Sequence, residues 1–344
     1  MPEIVRVLVV DDSAYVRKVV TEMLGRSPFI EVVAAARDGR EALDLTAELN
    51  PDVVTCDLNM PQMDGVTYVR EQMARRPLPI VIISIADGAG EQVLAALDAG
   101  AVDFVQKPTA LATERLMDMA EELVEKVKAA AHAPRRAVAR GTPLPAIVAS
   151  PARGRGTYDV VVIGVSTGGP QALKAVIPAL PEDFPVPVAM VLHMPLGYTE
   201  MYARKLDEMS RLRVVEASAG QLVEPGTVFL APAGRHLSLR RDGASVRTHL
   251  DIRPLDTPHR PSVDALFQSA AEVYGERALG VVMTGMGADG REGAAWIKAR
   301  GGGILTEAEE SCVVYGMPRS VVEAGLSDAA VPLERIAQAI MERV

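Results

Sequence analysis

The sequence predicts two α/β domains, each built around a doubly wound parallel sheet, with a linker between them. Three observations lead to this prediction. The chain has 344 residues, which suits two domains better than one. Apolar residues make up 49% of it and aromatic residues only 4%, a composition typical of parallel sheets covered by helices. Short apolar runs also alternate with amphipathic stretches in both halves, as repeated strand–helix units require.

The first domain is predicted to span residues 3–127 and to contain five strand–helix repeats. Its amphipathic stretches include Ala14–Leu24 and Glu91–Ala99, and a longer fifth helix is expected near Leu111–Ala131. The apolar runs predict five strands, at Val5–Val10, Ile30–Ala36, Val53–Cys56, Ile80–Ile85 and Val102–Val105.

Residues 128–155 are predicted to form an interdomain linker, because they are rich in Ala, Pro, Arg and Gly and show no period. A solvated spacer is favoured over a contact between its arginines and an acidic partner. The second domain, residues 156–344, is expected to contain a helix at Gln171–Leu180 and a local hairpin within Leu222–Leu239. Its apolar runs predict strands at Val160–Val165, Val186–Leu192, Val281–Thr284 and Gly302–Thr306.

Charge and cysteine content narrow the possible functions. The net charge of −9 and the pI of about 5.2 disfavour nucleic-acid binding. The two cysteines, Cys56 and Cys312, are far apart and fit neither a disulfide framework nor a zinc site. We see no signal peptide and no apolar run of the roughly 18 to 20 residues that a membrane helix needs. A cytoplasmic protein without membrane insertion is therefore expected.

Polar side chains follow several predicted strands of the first domain. Asp11 and Asp12 follow the first strand, Asp57 follows the third, Ser84 ends the fourth and Lys107 follows the fifth. These positions converge at the carboxyl edge of a parallel sheet, where ligands bind. Three crowded carboxylates repel one another, and a hard cation such as Mg²⁺ relieves that repulsion. Asp57 can then act as a nucleophile toward a phosphoryl group, with Lys107 and Ser84 neutralising and donating to it.

This joint pattern resembles the response-regulator receiver family, whose fold is flavodoxin-like. The resemblance implies that Asp57 is phosphorylated by a histidine kinase. It implies that Asp12, Asp57 and the carbonyl of Asn59 hold Mg²⁺, with Asp11 nearby. Phe104 matches the aromatic position that reorients when such domains are activated.

A second candidate site lies where a strand meets a helix in the run Gly164-Val165-Ser166-Thr167-Gly168-Gly169-Pro170. The glycines permit a sharp turn that exposes Ser166, and the helix start supplies backbone N–H groups suited to an oxyanion. A serine nucleophile elbow is one interpretation of this run. A phosphate-binding loop is the other, although the second glycine of its fingerprint and the Walker lysine are both missing.

A serine nucleophile needs a base and an acid that orients the base. His193 is favoured as the base because it directly follows a predicted strand, and His236 and His259 remain alternatives. The other two histidines, His132 in the linker and His249 in a segment expected at the surface, are disfavoured.

Asp289 is the favoured acid, because it lies in a glycine-dense loop after a strand, although an ordinary Asp-Gly turn remains possible. Asp264 competes with it, but its position predicts a cap of the helix that follows.

The second half resembles CheB-type protein-glutamate methylesterases, which implies a Rossmann-like catalytic domain. The stretches that carry the resemblance are GVSTGGP, VLHMPLGYT, FLAPAGRHL, HRPSVDALF, MTGMGADG and VVYGMPRSVVEAG. The resemblance implies a catalytic triad of Ser166, His193 and Asp289, with oxyanion donors near Thr167 and Met286. This chain order differs from that of α/β-hydrolases, in which the acid precedes the histidine.

The resemblance also implies a reaction and its control. Glutamyl methyl esters on methyl-accepting chemotaxis receptors are the expected substrates, some glutamines are deamidated, and the hydrolysis needs no cofactor. A kinase of the CheA type is the expected phosphodonor, and the unmodified receiver covers the catalytic cleft. Four residues depart from the usual family wording without belonging to the expected triad: Ile85, Leu196, Ala288 and Glu307.

Overall fold

The structure is a computed structural model that describes residues 4–85, 90–107, 113–133 and 156–344. The chain divides into two compact units, Met1–Thr142 and Pro143–Val344. Each unit contains its own parallel sheet with helices against it, so the predicted fold class is confirmed.

The sheet of the first unit has five parallel strands in the order β2-β1-β3-β4-β5, the flavodoxin-like order. The strands are β1 (Val5–Val10), β2 (Ile30–Ala36), β3 (Val53–Cys56), β4 (Ile80–Ile85) and β5 (Asp103–Lys107). The helices are α1 (Ala14–Leu24), α2 (Gly39–Leu49), α3 (Gly65–Arg75), α4 (Gly90–Ala99) and α5 (Thr113–Ala131).

One boundary in this unit differs from the sequence prediction. Strand β5 begins one residue later than predicted and includes Lys107, which pairs with Ile85 of β4 instead of following the strand. Helix α5 ends at Ala131, as predicted, and therefore includes the first four residues of the predicted linker. The rest of that linker, from residue 134 to 155, lies outside the described residues.

The sheet of the second unit has seven parallel strands in the order β14-β13-β12-β6-β7-β9-β8. These are β6 (Val160–Val165), β7 (Val188–Leu192), β8 (Arg213–Glu216), β9 (Thr227–Leu230), β12 (Ala278–Val282), β13 (Gly303–Glu307) and β14 (Ala329–Val331). Its helices are α6 (Gly169–Val176), α7 (Thr199–Met209), α8 (Val263–Tyr274), α9 (Arg291–Ala299), α10 (Met317–Glu323) and α11 (Leu333–Met341). Across the described ranges, no helix is both long and apolar enough to cross a membrane.

Strand β6 lies at the point where the order of the strands reverses. The chain continues from β6 to β7 on one side, and later adds β12, β13 and β14 on the other side. All residues of β6, β7, β12 and β13 are buried, which explains the unbroken apolar runs of the first three of these strands. Open parallel sheets bind ligands at the carboxyl ends of the strands beside such a reversal, which here are β6, β7 and β12.

The predicted hairpin within Leu222–Leu239 is wrong. That range contains β9, which pairs in parallel with β7 and β8. The hairpin lies further along the chain and consists of β10 (His236–Asp242) and β11 (Ser245–Asp251) in antiparallel register. The two-residue turn Gly243-Ala244 makes the reversal, and Gly243 adopts a φ of +59° there.

Candidate active site and phosphoacceptor site

Ser166 directly follows β6 and is partly exposed at the carboxyl end of the sheet. Its backbone N–H donates to the carbonyl of Thr284, which follows β12, at 3.0 Å. Gly168 caps α6 with a φ of +79°, a conformation that glycine adopts without strain. The turn therefore presents the serine hydroxyl between a strand end and a helix start, as the sequence predicted.

His193 follows β7 and lies beside the serine turn. Its backbone N–H donates to the carbonyl of Val165 at 3.2 Å, so the parallel ladder places the two strand ends side by side. Its ring Nε2 lies 2.8 Å from Oδ2 of Asp289, 96 residues away in sequence. Its Nδ1 is buried and has no hydrogen-bond partner among the described residues.

Asp289 lies between the histidine ring and the start of α8. Its carboxylate accepts hydrogen bonds from the Ser262 hydroxyl at 2.9 Å and from the backbone N–H groups of Val263 and Asp264 at 2.8 and 3.0 Å. Burial alone would raise the pKa of Asp289, but the bonds from His193 and these amides hold that pKa below its usual range.

The ionised state of Asp289 decides how the histidine is protonated. A carboxylate only accepts hydrogen bonds, so Nε2 of His193 must carry the proton that it shares with Asp289. The unprotonated nitrogen is then Nδ1, which leaves Nδ1 as the basic atom of the ring. This is the reverse of the best-known serine-protease arrangement, in which Nδ1 faces the aspartate.

Asp264 plays a different part from the predicted one. Ser262 is the N-cap of α8, and the Asp264 side chain does not cap the helix that contains it. Its Oδ1 instead accepts from the backbone N–H groups of Gly290 and Gly293 at 2.9 and 2.7 Å, at the start of α9. Burial raises the pKa of Asp264 to about 7, helped by the neighbouring charge of Asp289. Asp289 thus binds the start of α8, and Asp264 binds the start of α9.

The two alternative histidines also lie near the site. His236 is buried, its Nδ1 accepts from the backbone N–H of Ser262 at 3.1 Å, and burial lowers its pKa. It therefore supports the residue that donates to Asp289. The ring of His259 stacks on that of His193 with centroids 4.1 Å apart. Of the disfavoured pair, His249 lies in β11 near Asp251, and His132 follows α5.

Thr284 joins the serine turn to the loop that contains Met286, and sequence reasoning missed its role. Its hydroxyl donates to the carbonyl of Thr167 at 2.9 Å and accepts from the backbone N–H of Val314 at 3.0 Å. The next residue, Gly285, packs so closely that a Cβ there would lie 2.8 Å from the Cβ of Ser166. The sequence signal for Thr284 was its position at the start of the glycine-rich run. The signal for Ser262 was its position at the start of a helix.

The first unit brings together Asp11, Asp57 and Lys107 at the carboxyl edge of its sheet. Nζ of Lys107 donates to Oδ2 of Asp11 at 2.7 Å and to Oδ1 of Asp57. Oδ2 of Asp57 accepts from the backbone N–H of Asn59 at 2.8 Å. Burial raises the pKa of Asp57 against the opposing effect of Lys107. Burial would lower the pKa of Lys107, but the two carboxylates hold it above its ordinary value.

The third predicted carboxylate, Asp12, is exposed beside this buried cluster, as is Asn59. In the part of the chain that the structure describes, no group of three or more Asp, Glu, His or Cys residues is arranged to hold a metal ion. The cluster therefore consists of two buried carboxylates bridged by one ammonium group, with further oxygen donors at its rim.

The two predicted switch residues are both buried. Ser84 lies in β4 and pairs with Gln106 of β5. Phe104 lies in β5 with 2% of its surface exposed, and the ammonium of Lys126 is 5.7 Å from its ring centroid. That ammonium also donates to the carbonyl of Phe104 at 2.7 Å, so α5 holds this residue by both its backbone and its ring.

Two models of known protein families match parts of this chain. The family model for CheB methylesterase matches residues 161–340, more than half of the chain. The chain belongs to the CheB methylesterase family. The family model for the response regulator receiver domain matches residues 7–121. The CheB methylesterase match includes the serine turn and both loops that contact it, and the receiver match includes the Asp57 cluster.

Relatives match the chain along nearly its whole length. A Myxococcus xanthus protein named protein-glutamate methylesterase/protein-glutamine glutaminase 5 is 50% identical over 331 residues, 96% of this chain and 95% of the relative. A Symbiobacterium thermophilum protein of the corresponding name is 45% identical over 354 residues, 99% of this chain and 97% of the relative. The crystal structure of the Thermotoga maritima CheB methylesterase catalytic domain is 43% identical, with a TM-score of 0.53, and covers 54% of this chain and 99% of that chain.

Proposed function

We propose that Ser166, His193 and Asp289 are the catalytic triad of a serine hydrolase that removes methyl esters from glutamates. The observation that carries this proposal is the contact between His193 and the buried Asp289, beside the serine turn. Family membership supports the same reaction, because the relatives at 50% and 45% identity are named protein-glutamate methylesterases.

The reaction follows from the protonation state of the histidine. Nδ1 of His193 takes the hydroxyl proton of Ser166 while Oγ attacks the γ-carbonyl of the ester. The tetrahedral intermediate collapses, and the imidazolium gives its proton to the leaving methoxide, which departs as methanol. Water then attacks the acyl-enzyme, with Nδ1 as base, and the proton returns to Ser166 as the glutamate leaves. Asp289 stabilises the imidazolium in both halves of the reaction.

Backbone N–H groups of Thr167 and Met286 are proposed as the oxyanion donors. Both residues flank the serine, one in its own turn and one in the loop that Thr284 ties to it. Preorganised amides of this kind typically contribute about 10²–10³-fold each to the rate. The same triad can deamidate glutamine, as the names of the relatives indicate for those proteins, if His193 protonates the departing ammonia.

The first unit is proposed to control the hydrolase through phosphorylation of Asp57. The partly buried ammonium of Lys107 lies against Asp57, where it would neutralise an added phosphoryl group. The donors Asp12, Asp57 and the Asn59 carbonyl, with Asp11 nearby, fit Mg²⁺, which proteins commonly hold with one or two carboxylates and waters. When bound, Mg²⁺ would neutralise charge on the phosphoryl oxygens. Ser84 and Phe104 are the proposed switch residues.

The proposed partners follow from membership of this family. Methyl-accepting chemotaxis receptors are the proposed substrates, and a histidine kinase of the CheA type is the proposed phosphodonor. Phosphorylation is proposed to uncover the catalytic cleft. The cytoplasm is the proposed location, because that kinase would act there.

Methanol release from methylated receptors, with and without a small phosphodonor, tests the proposal. Ser166→Ala should lower kcat by roughly 10⁶-fold, because the variant lacks the hydroxyl that forms the acyl-enzyme. The wild type should also form a covalent adduct with a fluorophosphonate at Ser166. Substantial methanol release by the alanine variant would show that the hydrolysis does not use this serine.

A further inference from the structure

A buried glutamate lies beneath the serine turn, at the end of β13. Glu307 has none of its surface exposed. Its Oε2 accepts from the backbone N–H of Thr284 at 2.9 Å, and its Oε1 accepts from the Ser311 hydroxyl at 2.9 Å. Removing a carboxylate from water costs free energy, so packing alone does not explain a glutamate at this position.

The bond to Thr284 replaces a ladder bond that the sheet does not provide. The last paired residues of β12 and β13 are Val282 and Thr306, so Thr284 lies beyond the ordinary parallel register. Its N–H would be buried without an acceptor if the side chain at position 307 offered none. The glutamate therefore fixes the first residue of the loop that leads to Met286.

Thr284 passes this constraint directly to the nucleophile. Its carbonyl accepts from the backbone N–H of Ser166 at 3.0 Å, and its hydroxyl donates to the carbonyl of Thr167 at 2.9 Å. Glu307 thus binds Thr284, and Thr284 binds two consecutive residues of the serine turn.

We propose that Glu307 is a positioning residue for the hydrolysis, which acts on the serine turn through Thr284. The inference rests on the proposed role of Ser166. A displacement of about 1 Å at a reacting group can cost about 10²-fold in rate, so loss of this support should appear in the chemical step.

Two substitutions at position 307 separate the acceptor from the charge. In Glu307→Gln the amide oxygen still accepts from Thr284, and the amide N–H can donate to Ser311, whose hydroxyl also reaches the carbonyl of Ala308 at 3.1 Å. In Glu307→Leu the acceptor is gone. We expect kcat to stay within about threefold of wild type for Gln, and to fall about 10²-fold for Leu with KM little changed.

A neighbouring buried residue provides the control. Thr306 has none of its surface exposed and its hydroxyl bonds that of Ser327 at 2.8 Å, away from Thr284. Thr306→Val should lower thermal stability but leave kcat within about threefold of wild type. The proposal would be overturned if Thr306→Val lost as much kcat as Glu307→Leu. Equal losses of kcat in the Gln and Leu variants at position 307 would also overturn it.

The second link can be tested even if Glu307→Leu does not fold. Thr284→Ser keeps the hydroxyl that binds Thr167, whereas Thr284→Val removes it. The rate of fluorophosphonate labelling at Ser166 should remain near wild type for Ser and fall at least about tenfold for Val. Equal labelling rates would refute the coupling through Thr284. A wild-type protein that is never labelled at Ser166 would instead contradict the proposed function itself.

Discussion

Replacing Asp289 with asparagine should nearly abolish hydrolysis while leaving the protein folded. The carboxylate accepts four hydrogen bonds, two on each oxygen. An asparagine retains only one oxygen, so either orientation turns an NH₂ group toward two former donors. The Ser262 hydroxyl can rotate to accept, but the backbone N–H groups of Val263 and Asp264 cannot.

The size of the effect can be worked out from these contacts. Each orientation leaves one backbone N–H without an acceptor, which costs about 1–3 kcal/mol of stability. Catalysis loses more, because the imidazolium loses its counter-charge, and in one orientation His193 must move its proton to Nδ1. We expect kcat to fall about 10⁴-fold, equivalent to about 5.4 kcal/mol of transition-state stabilisation.

The assay is methanol release by the phosphorylated protein, with thermal unfolding as the test of folding. Asp264→Asn is the matched control, because both bonds to Asp264 are made to Oδ1, which the amide oxygen can replace. We expect that control to keep kcat within about threefold of wild type. A folded Asp289→Asn variant with kcat within tenfold of wild type would refute the reasoning about the histidine's protonation.

Two further predictions concern charge at the two sites. Because the pKa of Asp264 is raised to about 7, the contribution of its protonated form to stability is fully present below the unfolded pKa near 4 and is lost as pH rises through 7. Urea titrations should therefore show the stability advantage of Asp264→Asn growing from pH 4 to pH 7 and levelling above it, and an advantage constant with pH would contradict the shift. Asp57→Ala should abolish activation of methanol release by a small phosphodonor while keeping unstimulated activity; activation that persists would show that Asp57 is not the acceptor.

Local patterns were enough to predict most of the fold. Four of the five strands in the first unit have the predicted bounds, because each is an apolar run flanked by polar turn residues. The hairpin was misplaced because its prediction also used only the local pattern. Pro225-Gly226 resembles a hairpin turn, but β9 after it pairs in parallel with β8, the strand before it in the chain, and with the more distant β7. The local sequence pattern does not predict such parallel pairing.

By itself, the sequence determined that a serine lies at a strand–helix turn and that Asp57 follows a buried strand, because strand ends and glycine turns are local features. Tertiary structure alone placed His193 against Asp289 and His236 against Ser262, and it assigned Asp264 to the start of a neighbouring helix. It also placed Glu307 under Thr284, 23 residues away. These contacts join residues far apart in the chain, and which donor meets which acceptor depends on how the strand ends pack.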